Sequence, residues 1–340
     1  MIGPLRCICS ALLAVLALLW GRTVAPAVEP ILLRIGTNAP EGSPWAEGTV
    51  AVGRVIEKNT RGLVRLKVFP SGMLGDEQQM VASVARGGVD GAAVSAAAIF
   101  DHIPELAALE LPFSFPDDAR VTDRVMGRLF ATIQKTAASH GYTIVAYTSI
   151  GFRHLGTPRP VASLADLRTL RLRSQPSALH ARMWDLLGVK HTPIGLPLVS
   201  GALDRREVDS FDAALVWMFG AGWHQHIKTL TLTGHIHQPG MVVLGPQAVA
   251  KVPAAMRASL GQGGEVVAHD NVRRVREIEQ QLLRQLPGMG VAVTRPTPAF
   301  SGELRQALAP MRPEWRKTAS PVGKKLYDAV DKELARAKPR

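Results

Sequence analysis

Apolar runs alternate with amphipathic stretches along most of this chain, and the spacing within each stretch names the element. Ile31-Leu-Leu-Arg-Ile-Gly reads as a buried strand, and Gly62-Leu-Val-Arg-Leu-Lys-Val-Phe as a second with a clear period of two. Between them a helix is expected over 44–60, opened by Pro44 with Ser43 as its cap. A second helix is expected over 76–86, then a short buried strand at Val89-Asp-Gly-Ala-Ala-Val-Ser. Strand, helix, strand, helix, strand at these lengths predicts an α/β domain with parallel strands. Further on, 118–140 reads as one or two helices and Tyr142-Thr-Ile-Val-Ala-Tyr as a strand. Gly188-Val-Lys-His-Thr-Pro-Ile is another strand, 198–205 a short helix, and 208–212 a strand with a turn. From Ile236 strand character returns, at Met241-Val-Val-Leu. Residues 254–286 are expected to be mostly one long helix, polar on the side of Arg273, Arg274, Arg276, Glu277 and Glu279. Val291-Ala-Val-Thr is a last strand, and 301–340 reads as amphipathic helix with a basic tail over 332–340.

One stretch combines both periods. Ser163-Leu-Ala-Asp-Leu reads as a capped helical turn, since Ser163 can accept a backbone N–H and Asp166 sits three residues on. Leu170-Arg-Leu-Arg then alternates as a half-buried strand, with Arg171 and Arg173 on the face opposite the leucines. An arginine at the inner end of such a strand keeps its charge and presents a planar fork of donors, the group that holds a carboxylate through two hydrogen bonds. Ligands of open α/β domains sit at the carboxyl ends of the strands. Asn38 and Ser95 lie there, and Arg153, in Gly151-Phe-Arg-His, stands just past a strand end. Asn38 could equally satisfy its own turn, and Ser95 could cap the next helix.

Composition narrows the class. At 340 residues, 46% hydrophobic and 20% charged, the chain is globular and of two-domain size. Its net charge of +12 suits anionic ligands, a membrane surface or nucleic acid, but no segment interleaves basic and aromatic residues as a nucleic-acid platform does. Arg6, an apolar run from Ser10 to Trp20 and the small residues Ala25-Pro-Ala27 form a signal-peptide pattern over 1–27, too short for a comfortable membrane span. Both cysteines, Cys7 and Cys9, fall inside it, so the exported chain has no thiol chemistry. Export removes Arg6 and Arg22 and leaves +10 (12 minus 2).

In order along the chain, these motifs resemble the periplasmic solute-binding proteins of tripartite ATP-independent periplasmic (TRAP) transporters, the dicarboxylate-binding type. Val68-Phe-Pro-Ser-Gly-Met-Leu-Gly-Asp-Glu, Gly88-Val-Asp-Gly, Leu111-Pro-Phe-Ser-Phe, Gly151-Phe-Arg-His, Leu164-Ala-Asp-Leu-Arg-Thr-Leu-Arg-Leu-Arg and Gly188-Val-Lys-His-Thr-Pro carry the likeness, over about 31–325. No one motif is diagnostic; their order and spacing are. The resemblance implies an α/β fold of two hinged domains with a long helix spanning both, for which 254–286 is the candidate. It implies domain I over 28–149 plus about 240–270, domain II over 150–239 plus about 271–310, and a C-terminal helix and tail over 311–340. It further implies that a small organic acid binds in the interdomain cleft and is not transformed, and that the loaded protein docks on TRAP membrane subunits; with no heptad seam the chain is expected to be a monomer, and neither a cofactor nor a metal is expected. Arg173 would pair with the ligand carboxylate, Arg153 would be a second anion contact, and Asn38 would lie on the first ligand loop.

The chain departs from the family pattern at Leu198-Val-Ser-Gly-Ala-Leu-Asp-Arg-Arg-Glu-Val-Asp-Ser-Phe-Asp-Ala. A family glutamate is Asp212 here, the asparagine that donates to ligand is Ala213, and Leu196 stands where an aromatic is common. With Trp217, Met218 and Phe219 nearby, these changes predict a kept carboxylate end and a more apolar pocket. Arg173, Arg153, Asn38, Ser95, Asp212, Leu196 and Trp217 are the candidate ligand contacts. Four rival classes stay open at this point. A hydrolase would need a nucleophile elbow, which neither Ser95 nor Ser200 has. His235 and His237 share a strand face and could bind an ion, but no carboxylate stands at ligand spacing beside them. A sensor receptor, or a carrier of a more lipophilic ligand, would use the same fold.

Overall fold

The computed structural model describes residues 29–337, so the expected signal peptide over 1–27 and the end of the basic tail lie outside the described residues. The order begins β1 (Ile31–Thr37), α1 (Pro44–Asn59), β2 (Val64–Phe69), α2 (Glu77–Ala85), β3 (Gly91–Ser95). A 3-10 segment, Pro104–Leu109, precedes α3 (Ala119–Ala138) and β4 (Thr143–Thr157). Next come α4 (Leu164–Leu167), β5 (Leu172–Ser174), α5 (Ala178–Leu187), β6 (His191–Pro193), α6 (Val199–Asp204), β7 (Ser210–Ala214), α7 (Leu215–Gly220) and β8 (Thr229–Leu244). The chain closes with α8 (Pro246–Lys251), α9 (Ala254–Leu260), α10 (Gly264–Gln285), β9 (Ala292–Thr294), α11 (Pro298–Leu308), α12 (Met311–Thr318) and α13 (Pro321–Ala337). No helix among the described residues is long and apolar enough to cross a membrane.

The caps read from the sequence are formed. Ser43 Oγ accepts from Ala46 N, and Ser163 Oγ accepts from Asp166 N at 3.1 Å. Asp76 and Gln79 close a reciprocal capping box at α2.

All nine strands of the described residues belong to one sheet, ordered β2-β1-β3-β8-β4-β7-β5-β6, with β9 on β8. The first domain's strands are parallel as expected, Ile35 facing both Val68 and Gly91. The sheet has two halves because β4 and β8 are long antiparallel partners, from Thr143↔Leu244 to Thr157↔Thr229. β3 pairs with one end of β8, at Gly91–Ser95, while β7 pairs with the far end of β4, at Arg153–Gly156. Two apolar clusters lie on the first half, one including Leu33, Ile56 and Val242 and the other Met80, Phe130 and Leu326. Two more lie on the second half, around Leu172, Trp184 and Phe300 and around Phe211, Trp223 and Leu286. This is the two-domain α/β fold with a hinge that the motifs implied.

Four expectations are corrected. Arg153, expected just past a strand end, lies inside β4, whose pairing with β8 continues to Thr157. The strand placed near Met241 begins twelve residues earlier, at Thr229, where Thr-Leu-Thr-Leu-Thr already alternates. The helix expected over 254–286 is broken into α9 and α10. Gly263 adopts φ +79° at the break, and a Cβ at Gly264 would stand 1.8 Å from Val145 O, so the backbones meet there without side chains between them. The helix expected over 301–340 is three helices, α11 to α13. α10 is the element that spans both halves: Arg274 reaches Glu47 on α1 at 2.7 Å, while Leu282 packs with Phe211 and Trp223.

Candidate ligand cleft

β5 carries Arg173 inward. Arg171, two residues earlier, is solvated and pairs with Asp209 at 3.1 Å. Arg173 is 1% exposed. Its Nε and Nη2 both donate to the Ile194 carbonyl, at 2.8 and 2.6 Å, and its guanidinium carbon lies 5.4 Å over the Trp223 ring. Among the described residues it forms no ion pair. Burial, with the charge of Arg153, pulls the guanidinium down to about 9, Asp212 and Glu77 opposing. A buried cation whose direct contacts are a carbonyl and a π-face, with Asp212 and Glu77 acting only at longer range, lacks a paired anion, and a carboxylate would supply one.

Arg153 is placed differently. Its Nε donates to Asp212 Oδ2 at 2.5 Å and its Nη2 to the Asp212 carbonyl at 2.7 Å. Its Nη1 donates to Gln175 Oε1 at 2.6 Å and to Gln238 Oε1 at 3.0 Å. Gln175 Nε2 donates to Ser95 Oγ at 2.9 Å, and Ser95 donates from Oγ and N to the two oxygens of Glu77, each at 2.7 Å. Ser95, Arg153 and Asp212 thus form one buried chain joining the end of β3 to β4 and β7. Burial alone would raise Asp212, but Arg153 and His235 hold its carboxyl far below the usual range. Burial raises Glu77 despite its Ser95 bonds.

The remaining candidates meet elsewhere. Asn38, Leu196 and Trp217 line a cavity of about 480 Å³. The loop after β1 supplies Asn38 and Pro40, α1 supplies Trp45, β4 supplies Thr148 to Ile150, and α7 supplies Val216, Trp217 and Phe219. α10 supplies Asn271, Val275, Ile278 and Leu282. Trp223 joins the two regions, since it lines the cavity and lies under Arg173. Met218 faces the core, at 1% exposure. The α10 wall was missed in the sequence reading, yet 275, 278 and 282 repeat at helical spacing on an otherwise charged helix. Trp45 and Trp223 carry no comparable signal.

The fold brings Asp212 Oδ2 to 3.4 Å from His235 Nε2, a carboxylate that sequence spacing did not place there. His237 Nε2 instead meets Ser149 Oγ at 2.9 Å. Among the described residues no three possible metal ligands gather.

Two α/β halves hinged on shared strands, with a cavity walled by both and a buried arginine next to it at Trp223, have the architecture of a solute-binding protein. The chain belongs to the DctP family, bacterial extracellular solute-binding protein family 7, whose profile matches residues 35–318. This family comprises the receptors of TRAP transporters, which bind solutes and are not enzymes. The chain is 26% identical over 270 residues to a solute-binding protein of Verminephrobacter eiseniae, covering 79% of this chain and 81% of that one. It is 25% identical over 241 residues to the 2,3-diketo-L-gulonate-binding periplasmic protein YiaO of Escherichia coli, covering 70% and 73%. The crystal structure of a TRAP periplasmic solute-binding protein from Polaromonas bound to D-erythronate superposes with a TM-score of 0.79 at 25% identity, over 88% of this chain and 98% of that one.

Proposed function

We propose that this protein is exported by a cleaved signal peptide and works as a periplasmic monomer. It binds an organic acid in the cleft with the carboxylate on Arg173, and hands it to TRAP membrane subunits. The observation that carries this reading is Arg173, buried, cationic and without an acidic partner among the described residues. Relatives bind acids, 2,3-diketo-L-gulonate in Escherichia coli and D-erythronate in Polaromonas. Asn38, Leu196 and Trp217 are proposed to contact the body of the ligand. Arg153, Ser95 and Asp212 are proposed to act behind them, holding the two halves in register. The domain limits proposed are 28–149 with 240–270 and 150–239 with 271–310. A register shift in the β4–β8 ladder between Ser149 and Gly151, beside Pro239, supports hinge points there.

A thermal-shift screen of organic acids tests the reading. An acid at about a hundred times its dissociation constant adds about 2.7 kcal/mol of stability, a rise of several degrees. That rise should vanish in Arg173→Ala; a shift that survives the substitution would remove the carboxylate assignment.

A further inference from the structure

The cavity is separated from Arg173 by Trp223, which lines it and carries the guanidinium on its ring, and its walls suit only some acids. Four hydroxyls line it; three are committed to the protein, while Ser71 keeps its O–H donor. Ser43 Oγ donates to Pro40 O, and Ser71 Oγ accepts from Glu41 N. Thr148 Oγ1 accepts from Asn271 Nδ2, and Ser149 Oγ bonds His237. Among the described lining residues the buried side-chain polar atoms without a partner are Asn38 Oδ1, Asn271 Oδ1 and the indole nitrogens of Trp217 and Trp223. The other lining side chains are mainly apolar, Ile150, Leu196 and Ile278 among them. A polyhydroxylated acid buried here would leave most of its hydroxyls unpaired, and each such group is penalised. An aromatic body would instead meet indole faces, and one or two polar substituents would satisfy the orphaned amide oxygens and indole N–H groups.

Resting on the organic-acid reading above, we infer that the ligand is an aryl-substituted monocarboxylate: its carboxylate pairs with Arg173 and its ring lies in the chamber walled by Trp45, Trp217, Trp223 and Ile278. The volume of about 480 Å³ equals that of about sixteen waters at liquid density, ample for a ring and a short acid chain.

The test titrates the purified protein by calorimetry with 3-(4-hydroxyphenyl)propionate, its primary amide, gluconate and succinate. The arylpropionate should bind, the amide should bind on the order of a hundredfold more weakly, and gluconate and succinate should not bind. Trp217→Ala should weaken the arylpropionate about tenfold, and Trp217→Phe should restore most of that loss. Circular dichroism checks that each variant is folded. Gluconate or succinate binding lost in Arg173→Ala, with no arylpropionate binding, overturns this inference and leaves the organic-acid receptor standing. Equal binding of acid and amide overturns both readings. Silence toward the arylpropionate, whatever the other probes do, overturns this one.

Discussion

Two arginines of like sequence setting have opposite circumstances at the residue scale. Arg153 spends its donors on Asp212, Gln175 and Gln238, whereas Arg173 has only a carbonyl and an indole face. Removing one member of a buried ion pair strands the other, so Arg153→Ala should cost about 3–5 kcal/mol of folding stability. Denaturant titration of the variant checks this; a midpoint at the wild-type value would contradict the network's structural role. Arg173→Ala strands no ion-paired carboxylate, though it vacates core space and leaves the Ile194 carbonyl without its donor, so in the same titration it should cost less than Arg153→Ala. The alternation Leu170-Arg-Leu-Arg made the arginines legible as one face of a strand. It could not tell that Arg171 stops at the solvent beside Asp209 while Arg173 reaches the interior, because depth along a short strand depends on β6 and β7 flanking it. Nor could it show that Arg153 and Asp212, far apart in sequence, neutralise each other.

At the scale of elements, period and capping recovered α1, α2 and β1 to β3 within a few residues. The failures have local as well as tertiary causes. α9 and α10 part at Gly261-Gln-Gly-Gly264, a local breaker in which Gly263 takes φ +79°, and the approach of Val145 O explains why Gly264 carries no side chain. Gly264→Ala should therefore lower the melting temperature well beyond the few tenths of a kcal/mol of an ordinary surface change; an unchanged melting point would show the contact to be yielding. The segment after Pro104–Leu109 meets α5 through Glu110 and His180, both fully buried with Oε2 and Nε2 3.4 Å apart. Burial pushes Glu110 from 4.5 up to about 8 and His180 from 6.5 down to about 3. Because the folded state binds the Glu110 proton more tightly, that contribution is full below pH 4.5 and lost as pH rises through about 8. The His180 contribution is full above pH 6.5 and lost as pH falls through about 3. Between pH 6.5 and 8, where the His180 contribution is constant, Glu110→Gln should lose less melting temperature than wild type; a fall identical to wild type would place its cause elsewhere.

For the whole molecule, the pairing of β4 with β8 decides what the chain can do. Two strands serve both halves of the sheet, so the halves share a hinge, and α10 lies across both. Motif order revealed this architecture, but the sequence could not reveal how the cleft walls are shared among the loop after β1, α7 and α10. The chemistry of that cleft, one unpaired buried cation beside an apolar chamber, is the basis for reading the protein as an acid receptor. Calorimetric titration of wild type and Arg173→Ala with an acid that raises the melting temperature tests this most directly. Two charge-assisted hydrogen bonds at about 1.5–3 kcal/mol each set the expected loss at a hundredfold or more, with folding intact. Equal affinity in the two proteins would contradict the account, since the cation it rests on would then play no part in holding the ligand.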